Sequence, residues 1–247
     1  MLRKKGGEGS RRASSGPSPR VMKNKPLSIK AIILDMDGVI IDSEPVYRIA
    51  WQSAAAELGY EMSDEYYATL LGFTILDGEA AVTRFFGPDF YLPAFRDRWR
   101  AIWKRHVETK GIPVKPGLEE LLRFLESRRL PVAVGTSSDA EKVAVSLRAA
   151  GLKGRFPCIV SGDQVAKGKP APDIFLEAAR RLRVAPEFCL VLEDSDAGIR
   201  AAAAGGIPAG FIPDLKPPSR TAAALAYRIL PSLREALELI RENLTTS

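Results

Sequence analysis

The stretch Ala-Ile-Ile-Leu-Asp-Met-Asp-Gly occupies residues 31–38 and joins an apolar run to two acids and a glycine. Four consecutive apolar residues are typical of a strand that is buried on both faces of a parallel sheet. Asp35, Asp37 and Gly38 then stand at the carboxyl end of that strand. Alone, such an Asp-x-Asp-Gly segment is more often a turn than a catalytic pair.

Polar groups recur at comparable places further along the chain. Two segments directly follow predicted strands and a third is a Gly-Lys-Pro loop, and each alone is explained as a helix cap or a loop. Because the carboxyl ends of parallel strands converge on one crevice, the segments together predict one shared site. Their polar residues are Thr136, Ser137, Lys169, Glu193 and Asp194.

These residue types suit phosphoryl transfer. Asp35 is the candidate nucleophile, and Asp37 is the candidate acid that protonates the leaving oxygen and later takes a proton from water. A carboxylate that attacks a phosphate dianion meets like-charge repulsion, so the site must supply cations and donors. Lys169 offers a positive charge, and the Thr136 hydroxyl and Ser137 amide offer hydrogen bonds to phosphate.

The acids also predict a metal site. Carboxylates with no cluster of histidine or cysteine are hard oxygen ligands, which favour Mg²⁺. We therefore expect Asp35, Glu193 and Asp194 to hold Mg²⁺ against the phosphate.

The order of predicted elements gives the fold class. After Pro116 strands and helices alternate, which is typical of a parallel sheet with helices on both faces. Between 43 and 113 only helical patterns occur, and that insertion is too long for a simple connection. We predict an α/β protein with a Rossmann-like parallel-sheet core (29–42 and 113–247) and an inserted all-helical cap domain (43–112). The predicted strands are 31–34, 131–136, 157–161, 188–193 and 207–212, and the helices are 44–58, 64–71, 77–86, 92–109, 118–128, 140–150, 172–182, 197–204 and one around 233–240.

Charge is concentrated at the start of the chain. The net charge is +6, but residues 1–30 hold nine of the 36 basic residues and one of the 30 acids, so the rest carries −2. That balance argues against a nucleic-acid-binding face. Residues 1–28 are rich in Gly, Ser, Pro, Lys and Arg, and we expect them to form a disordered basic tail.

The expected location and oligomeric state rest on the absence of recognisable membrane, secretion and disulfide signals in the sequence. No apolar run approaches the ~20 residues that span a bilayer, and no signal peptide is recognisable at the start. The two cysteines suggest no disulfide framework. We expect a cytoplasmic monomer that has no membrane partner.

Four segments resemble the motifs of the haloacid dehalogenase superfamily. They lie at 35–45, 135–138, 168–173 and 193–198, and they are most similar to the β-phosphoglucomutase and sugar-phosphatase branch with a helical cap. The resemblance covers about residues 30–215. It implies a Rossmann-like core, Mg²⁺ dependence and an aspartyl-phosphate intermediate. It also implies that the Asp37 carbonyl is a metal ligand beside Asp35 and Asp194, with Glu193 in support.

Departures from the family pattern bear on the substrate. The mutases of this branch place a histidine near the position of Tyr47 and a phosphate-binding arginine just after a Leu-x-Gly segment. Here 70–75 contains no arginine, which argues against a mutase. We predict a phosphatase of small phosphate monoesters, such as sugar or related metabolite phosphates. The alternatives are a hexose-phosphate mutase and a non-catalytic binding protein tethered by its basic tail.

Cap movement and specificity are further expectations from the position of the insertion. We expect hinges near 42–45 and 111–115, and closure of the cap that expels bulk water before attack. Specificity should reside on the cap face opposite Asp35, around 72–76.

Overall fold

The computed structural model describes residues 27–244, and a parallel sheet forms its centre. In chain order the strands are β1 (Ala31–Leu34), β2 (Val132–Gly135), β3 (Cys158–Val160), β4 (Cys189–Glu193), β5 (Ala209–Phe211) and β6 (Arg228–Ile229). All six are parallel and lie in the order β3-β2-β1-β4-β5-β6. The prediction of a Rossmann-like α/β fold is confirmed.

Five helices lie between β1 and β2, and the first four form the insertion: α1 (Glu44–Glu57), α2 (Asp64–Leu70), α3 (Ile75–Phe86) and α4 (Leu92–Lys110). We call residues 44–110 the cap. Its core is aromatic, and Trp51 of α1 packs edge-on against Phe95 of α4 with ring centroids 5.4 Å apart. The Thr74 hydroxyl accepts the backbone N–H of Asp77, so α3 begins two residues before the predicted start. The boundaries of a separate cap domain at 43–112 stay a prediction.

Helices on both faces explain why β1 is a continuous apolar run. Ala31 and Ile33 pack into the core beneath the helices at 173–182 and 196–204, whereas Ile32 and Leu34 pack into the core beneath the helices at 118–127 and 233–243. Successive strand residues point to opposite faces, so a strand covered on both sides needs apolar residues throughout. The remaining helices are α5 (Leu118–Ser127), α6 (Ala140–Ala149), α7 (Asp173–Leu182), α8 (Asp196–Ala204), α9 (Arg220–Leu225) and α10 (Leu233–Asn243), with short 3₁₀ helices at Gly162–Gln164 and Pro186–Phe188.

Strand register brings the predicted polar segments to one edge. Leu34 pairs with Val134 of β2 on one side and with Leu192 of β4 on the other. The residues that follow β1 and β2 therefore emerge beside the end of β4. This edge is where ligands bind in open α/β sheets.

Two elements near the end of the chain were not predicted. Helix α9 has six residues, and β6 consists of Arg228 and Ile229 alone, both exposed at the edge of the sheet. Elements this short cannot show the periodic apolar pattern from which helices and strands are predicted in a sequence. All but the last two residues of the predicted tail at 1–28 lie outside the described residues. Within 27–244, none of the helices is both long enough and apolar enough to cross a bilayer.

Candidate active site

Asp35 is the first residue after β1 and lies between β2 and β4. Its backbone N–H donates to the carbonyl of Leu192 at 2.9 Å, which fixes it at the end of the strand. Its side chain is buried, and one carboxylate oxygen accepts a hydrogen bond from the Lys169 ammonium. The same ammonium donates to Glu193 Oε2 at 2.7 Å. Lys169 thus joins two acids that are 158 residues apart in the chain, from a loop that precedes α7.

Asp194 completes a group of three acids. One carboxylate oxygen from each of Asp35, Glu193 and Asp194 lies within 4.8 Å of the others. Within the described range, Lys169 is the cation paired with this group, whereas the half-buried Asp194 carboxylate has no hydrogen-bond or ion-pair partner there. Three acids and one ammonium leave the group with a net negative charge in a largely buried place.

The pKa values of the group reflect that excess of acids. Burial, and after it the charge of Glu193, raises the pKa of Asp35 to about 7, although the Lys169 ammonium partly opposes the shift. Burial and the neighbouring carboxylates of Glu193 and Asp35 likewise raise the pKa of Asp194. Burial alone would lower the pKa of Lys169, but its two acidic partners raise it, so it stays an ammonium.

The group is suited to a divalent cation. Its donors are all carboxylate oxygens, the ligands that Mg²⁺ prefers, and the Asp194 carboxylate is unpaired in the described structure. A bound cation would relieve the repulsion that raises the pKa values of Asp35 and Asp194. Asp35, Glu193 and Asp194 are therefore the residues that would hold a metal ion here.

Two glycines let the backbone approach these acids. Gly38 has φ +84°, and a Cβ on it would lie 2.2 Å from Asp194 Oδ2. A Cβ on Gly198, in α8, would lie 2.0 Å from the carboxyl carbon of Glu193. Side chains at these positions would displace the acids, so the acid doublet requires both glycines.

Asp37 lies in separate surroundings. Ser43 donates to its Oδ1 at 2.6 Å, and its Oδ2 accepts hydrogen bonds from Ser138 Oγ and Lys142 Nζ, each at 3.1 Å. Burial opposes the ionisation of Asp37, but the Lys142 ammonium and the hydroxyl of Ser43 outweigh it and lower its pKa. The free protein therefore holds Asp37 as a carboxylate.

Sequence reasoning did not assign these three partners of Asp37. Ser43 lies within the first motif, and Ser138 lies within the second. Lys142 belongs to the first turn of α6 and carries no motif signal. Its contact with Asp37 spans 105 residues and depends on how α6 packs.

The two predicted phosphate donors after β2 are close in sequence but differ in exposure. Thr136 is buried, and its Oγ1 accepts the backbone N–H of Ser138 at 3.1 Å. Ser137 is exposed, and its carbonyl lies so near Gly162 that a Cβ there would be 2.4 Å from it. In residues 27–244 no hydrogen bond joins either side chain to Asp35 or Lys169. Their role as phosphate donors stays a prediction.

The loop after β5 links the site to the cap. Asp214 accepts a hydrogen bond from Lys115 at 2.5 Å and lies near Gly38, where a Cβ would be 3.2 Å from its Oδ2. Two residues later, the Lys216 ammonium donates to the main-chain carbonyl of Leu71 in the cap. These contacts were not predicted, because the loop carries no recognisable motif.

On the cap, Tyr47 lies beside the Lys142 ammonium that is paired with Asp37. Tyr47 of α1, where the mutases have a histidine, stacks on Trp103 with ring centroids 6.1 Å apart. Burial raises the pKa of its hydroxyl to about 12. In the segment at 71–76, which runs into the first turn of α3, Phe73 and Leu76 are exposed, and no side chain is positively charged.

Comparison with known proteins gives the family. The family model of haloacid dehalogenase-like hydrolases matches residues 29–206. The Phosphorylated carbohydrates phosphatase of Thermotoga maritima is 34% identical over 179 residues, which cover 72% of this chain and 82% of that protein. Fructose-1-phosphate phosphatase YqaB of Escherichia coli is also 34% identical over 179 residues, which cover 72% of this chain and 93% of that protein.

Solved structures agree with that result. CbbY from Rhodobacter sphaeroides, crystallised with phosphate, has a TM-score of 0.68 at 29% identity over 83% of this chain and 94% of its own. β-Phosphoglucomutase from Clostridium difficile has a TM-score of 0.67 over 87% of this chain and 96% of its own, at 23% identity, which concerns the fold alone.

The prediction of a phosphoric monoester hydrolase is confirmed by the family and by its named phosphatases. Motifs, sheet order and inserted helices all agree with this result. The chain belongs to the haloacid dehalogenase-like hydrolases.

Proposed function

We propose that this protein is a Mg²⁺-dependent phosphatase of small sugar phosphates or related metabolite phosphates, and that Asp35 is its nucleophile. The observation that carries the proposal is the position of Asp35, which contacts Lys169 and shares a potential metal site with Glu193 and Asp194. We also propose that the protein is a cytoplasmic monomer and that its substrate is a freely diffusing metabolite.

The first step transfers the phosphoryl group to Asp35. A carboxylate oxygen of Asp35 attacks phosphorus, and the ester P–O bond breaks with its electron pair going to the leaving oxygen. Protonated Asp37 gives that oxygen its proton, so an alcohol leaves. Because the free protein holds Asp37 as a carboxylate, we propose that the proton is taken up when substrate binds.

The second step releases phosphate. Water attacks the phosphorus of the aspartyl phosphate and gives a proton to Asp37, which is now the base. The bond between phosphorus and the Asp35 oxygen breaks, and the carboxylate is restored. Inorganic phosphate leaves, and Asp37 has regained the proton that it gave to the alcohol.

Charge compensation comes from Lys169 and from a metal. Lys169 holds the nucleophile by hydrogen bond and would face the negative phosphoryl oxygens. A divalent cation held by Asp35, Glu193 and Asp194 would supply Lewis-acid stabilisation of the phosphoryl charge.

The cap favours a monophosphate over a bisphosphate. The side chains of the segment at 71–76 carry no positive charge, and the nearby Lys216 ammonium is engaged by the Leu71 carbonyl. A second phosphate on the substrate would find no free cation on this segment. Apolar Phe73 and Leu76 suit the carbon skeleton of a metabolite. Both curated relatives described above are phosphatases of phosphorylated carbohydrates by name, which supports the same class.

A phosphate-release assay tests the proposal. The panel contains fructose 1-phosphate, glucose 6-phosphate, β-glucose 1-phosphate, FMN and pseudouridine 5′-phosphate, each with Mg²⁺ and with EDTA. We expect a sugar phosphate to be hydrolysed, with activity falling at least about 100-fold on chelation, because metal stabilisation is worth several kcal/mol. Turnover unaffected by chelation would contradict the metal requirement. Interconversion of β-glucose 1-phosphate and glucose 6-phosphate, stimulated by a bisphosphate, would instead identify a mutase.

A further inference from the structure

Lys142 is a second, largely enclosed cation beside the proposed catalytic acids, and it lies outside all four motifs. It occupies the third position of α6, where its backbone N–H donates to the helix-capping carboxylate of Asp139 at 2.8 Å. Its side chain reaches back from there to the loop after β1 and is only 18% exposed. A largely enclosed ammonium is costly unless it is paired, so this one has a defined position.

Aromatic packing fixes the ammonium from the cap side. Lys142 Nζ lies 5.0 Å from the centroid of the Tyr47 ring. Tyr47 itself contacts Trp99 and Trp103, with centroids 6.0 and 6.1 Å away. The lysine therefore lies between a core helix and an aromatic surface of the cap.

On its other side, Lys142 and Ser138 form a closed arrangement around one oxygen of Asp37. Lys142 donates to Ser138 Oγ at 2.8 Å, and both groups donate to Asp37 Oδ2 at 3.1 Å. Ser43 holds the other oxygen. Donors on both oxygens leave the carboxylate little freedom to rotate.

We propose that Lys142 is a positioning residue that aims the Asp37 carboxylate at the leaving oxygen of the substrate. This role rests on the proposed function of Asp37 as acid and base. Lys142 contacts neither Asp35 nor the two acids that end β4, and it is paired instead with the carboxylate that handles protons. Without it, Asp37 keeps the Ser43 and Ser138 contacts but loses the charged donor on Oδ2, which also holds the Ser138 hydroxyl in place.

A competing role is direct binding of the phosphoryl group by Lys142. That role predicts equal losses for every phosphate ester, because all esters present the same phosphoryl group. A positioning role predicts losses that grow with the basicity of the leaving oxygen, because a more basic oxygen depends more on protonation.

Two aryl esters of similar shape separate these roles. Phenyl phosphate releases a phenolate whose conjugate acid has a pKa of about 10, as in tyrosine, whereas 4-nitrophenyl phosphate releases a much less basic ion. The quantity to measure is kcat/KM with Mg²⁺, which reports the first step. For Lys142→Met we expect a fall of about 10- to 100-fold with phenyl phosphate and less than about 3-fold with 4-nitrophenyl phosphate.

Further variants make the result specific. Lys142→Arg retains the charge and should recover part of the loss. Ser138→Ala removes the bridging hydroxyl and should show the same difference between the two esters, but with a smaller fall in kcat/KM. If Lys142→Met does not fold, the result for Ser138→Ala decides between the two roles. Lys153→Met, an exposed lysine of the same core region, is the matched control and should change neither ester. In an Asp37→Asn background, Lys142→Met should add less than about 2-fold, because the two residues act as one unit.

Equal losses with both esters, or a full effect in the Asp37→Asn background, would overturn the positioning role. In that case the wild type is still an active phosphatase. A wild-type protein that releases phosphate neither from these esters nor from the sugar phosphates of the panel above would overturn the proposed function and this role with it.

Discussion

Asp35 and Asp37 are two residues apart in the chain, yet the structure gives them opposite surroundings. Asp35 lies among further acids, and its pKa is raised to about 7 by burial and by Glu193. Asp37 lies among donors, and its pKa is lowered by Lys142 and Ser43 against the effect of burial. Each acid has its own largely enclosed lysine, Lys169 for Asp35 and Lys142 for Asp37.

The difference shows how one loop can supply two roles. The acids around Asp35 need a cation to offset their repulsion. A cation at this position also suits a nucleophile that attacks a negatively charged phosphate. The donors around Asp37 define the direction of a carboxylate, which suits proton transfer. A continued strand would point residues 35 and 37 to the same face, so the two acids reach different surroundings because β1 ends at Leu34, before both of them.

The largest expected effect distinguishes the two acids by activity. Asp35→Asn should lower phosphate release by about 10⁴-fold or more for every ester, because the attacking oxygen is lost. Asp37→Asn should lower it by about 10²- to 10⁴-fold for phenyl phosphate, and less for 4-nitrophenyl phosphate. The measurement is steady-state release with Mg²⁺, with circular dichroism to show that both variants are folded. If Asp35→Asn and Asp37→Asn kept similar activity with every ester, the proposed difference in role between the two acids would be contradicted.

A smaller effect concerns the stability that each lysine provides. Lys169→Met leaves two buried carboxylates without their cation and should lower the free energy of unfolding of the metal-free protein by about 3 kcal/mol. Lys142→Met should cost about 1 kcal/mol, because Asp37 is 30% exposed and keeps its Ser43 contact. Urea unfolding in EDTA measures both. Equal losses would show that the two ion pairs are energetically alike.

A third expected effect is a dependence of stability on pH in the metal-free protein. The pKa of Asp35 is raised in the folded state, so between its ordinary value of 3.8 and about 7 the folded protein binds more protons than the unfolded one. The contribution of Asp35 to stability is therefore lost as pH rises through this window.

Asp35→Asn provides the matched comparison for that effect. In EDTA the variant should gain Tm relative to the wild type as pH rises from about 4 to 8, since it lacks the acid that resists ionisation. Mg²⁺ should raise the Tm of the wild type more at high pH than at low pH, because metal and protons compete for the same oxygens. A Tm difference that is constant with pH would be inconsistent with a raised pKa at Asp35.

Much of the core of the site was predictable from local sequence. The apolar run at 31–34 is continuous because β1 is covered on both faces, and the parallel register then brings Asp35 to Glu193. Lys169 was predicted through its Gly-Lys-Pro loop, and the structure places its ammonium on both acids.

The surroundings of Asp37 were not predictable in the same way. Lys142 and Ser138 reach Asp37 across more than 100 residues, and their contacts depend on side-chain packing that no local pattern records. The same is true of Asp214, whose pairing with Lys115 joins segments 99 residues apart. The edge strand β6 was missed because two exposed residues show no alternation.

The hydrogen bond from Lys216 to Leu71 bears on how this enzyme can change its substrate. The acceptor is a main-chain oxygen, so the bond persists whichever side chain occupies position 71. Exposed neighbours such as Phe73 and Leu76 can then be exchanged while the link between cap and core survives. The proposed recognition of substrate by residues 71–76 can therefore diversify through mutation without a loss of the contact between cap and core.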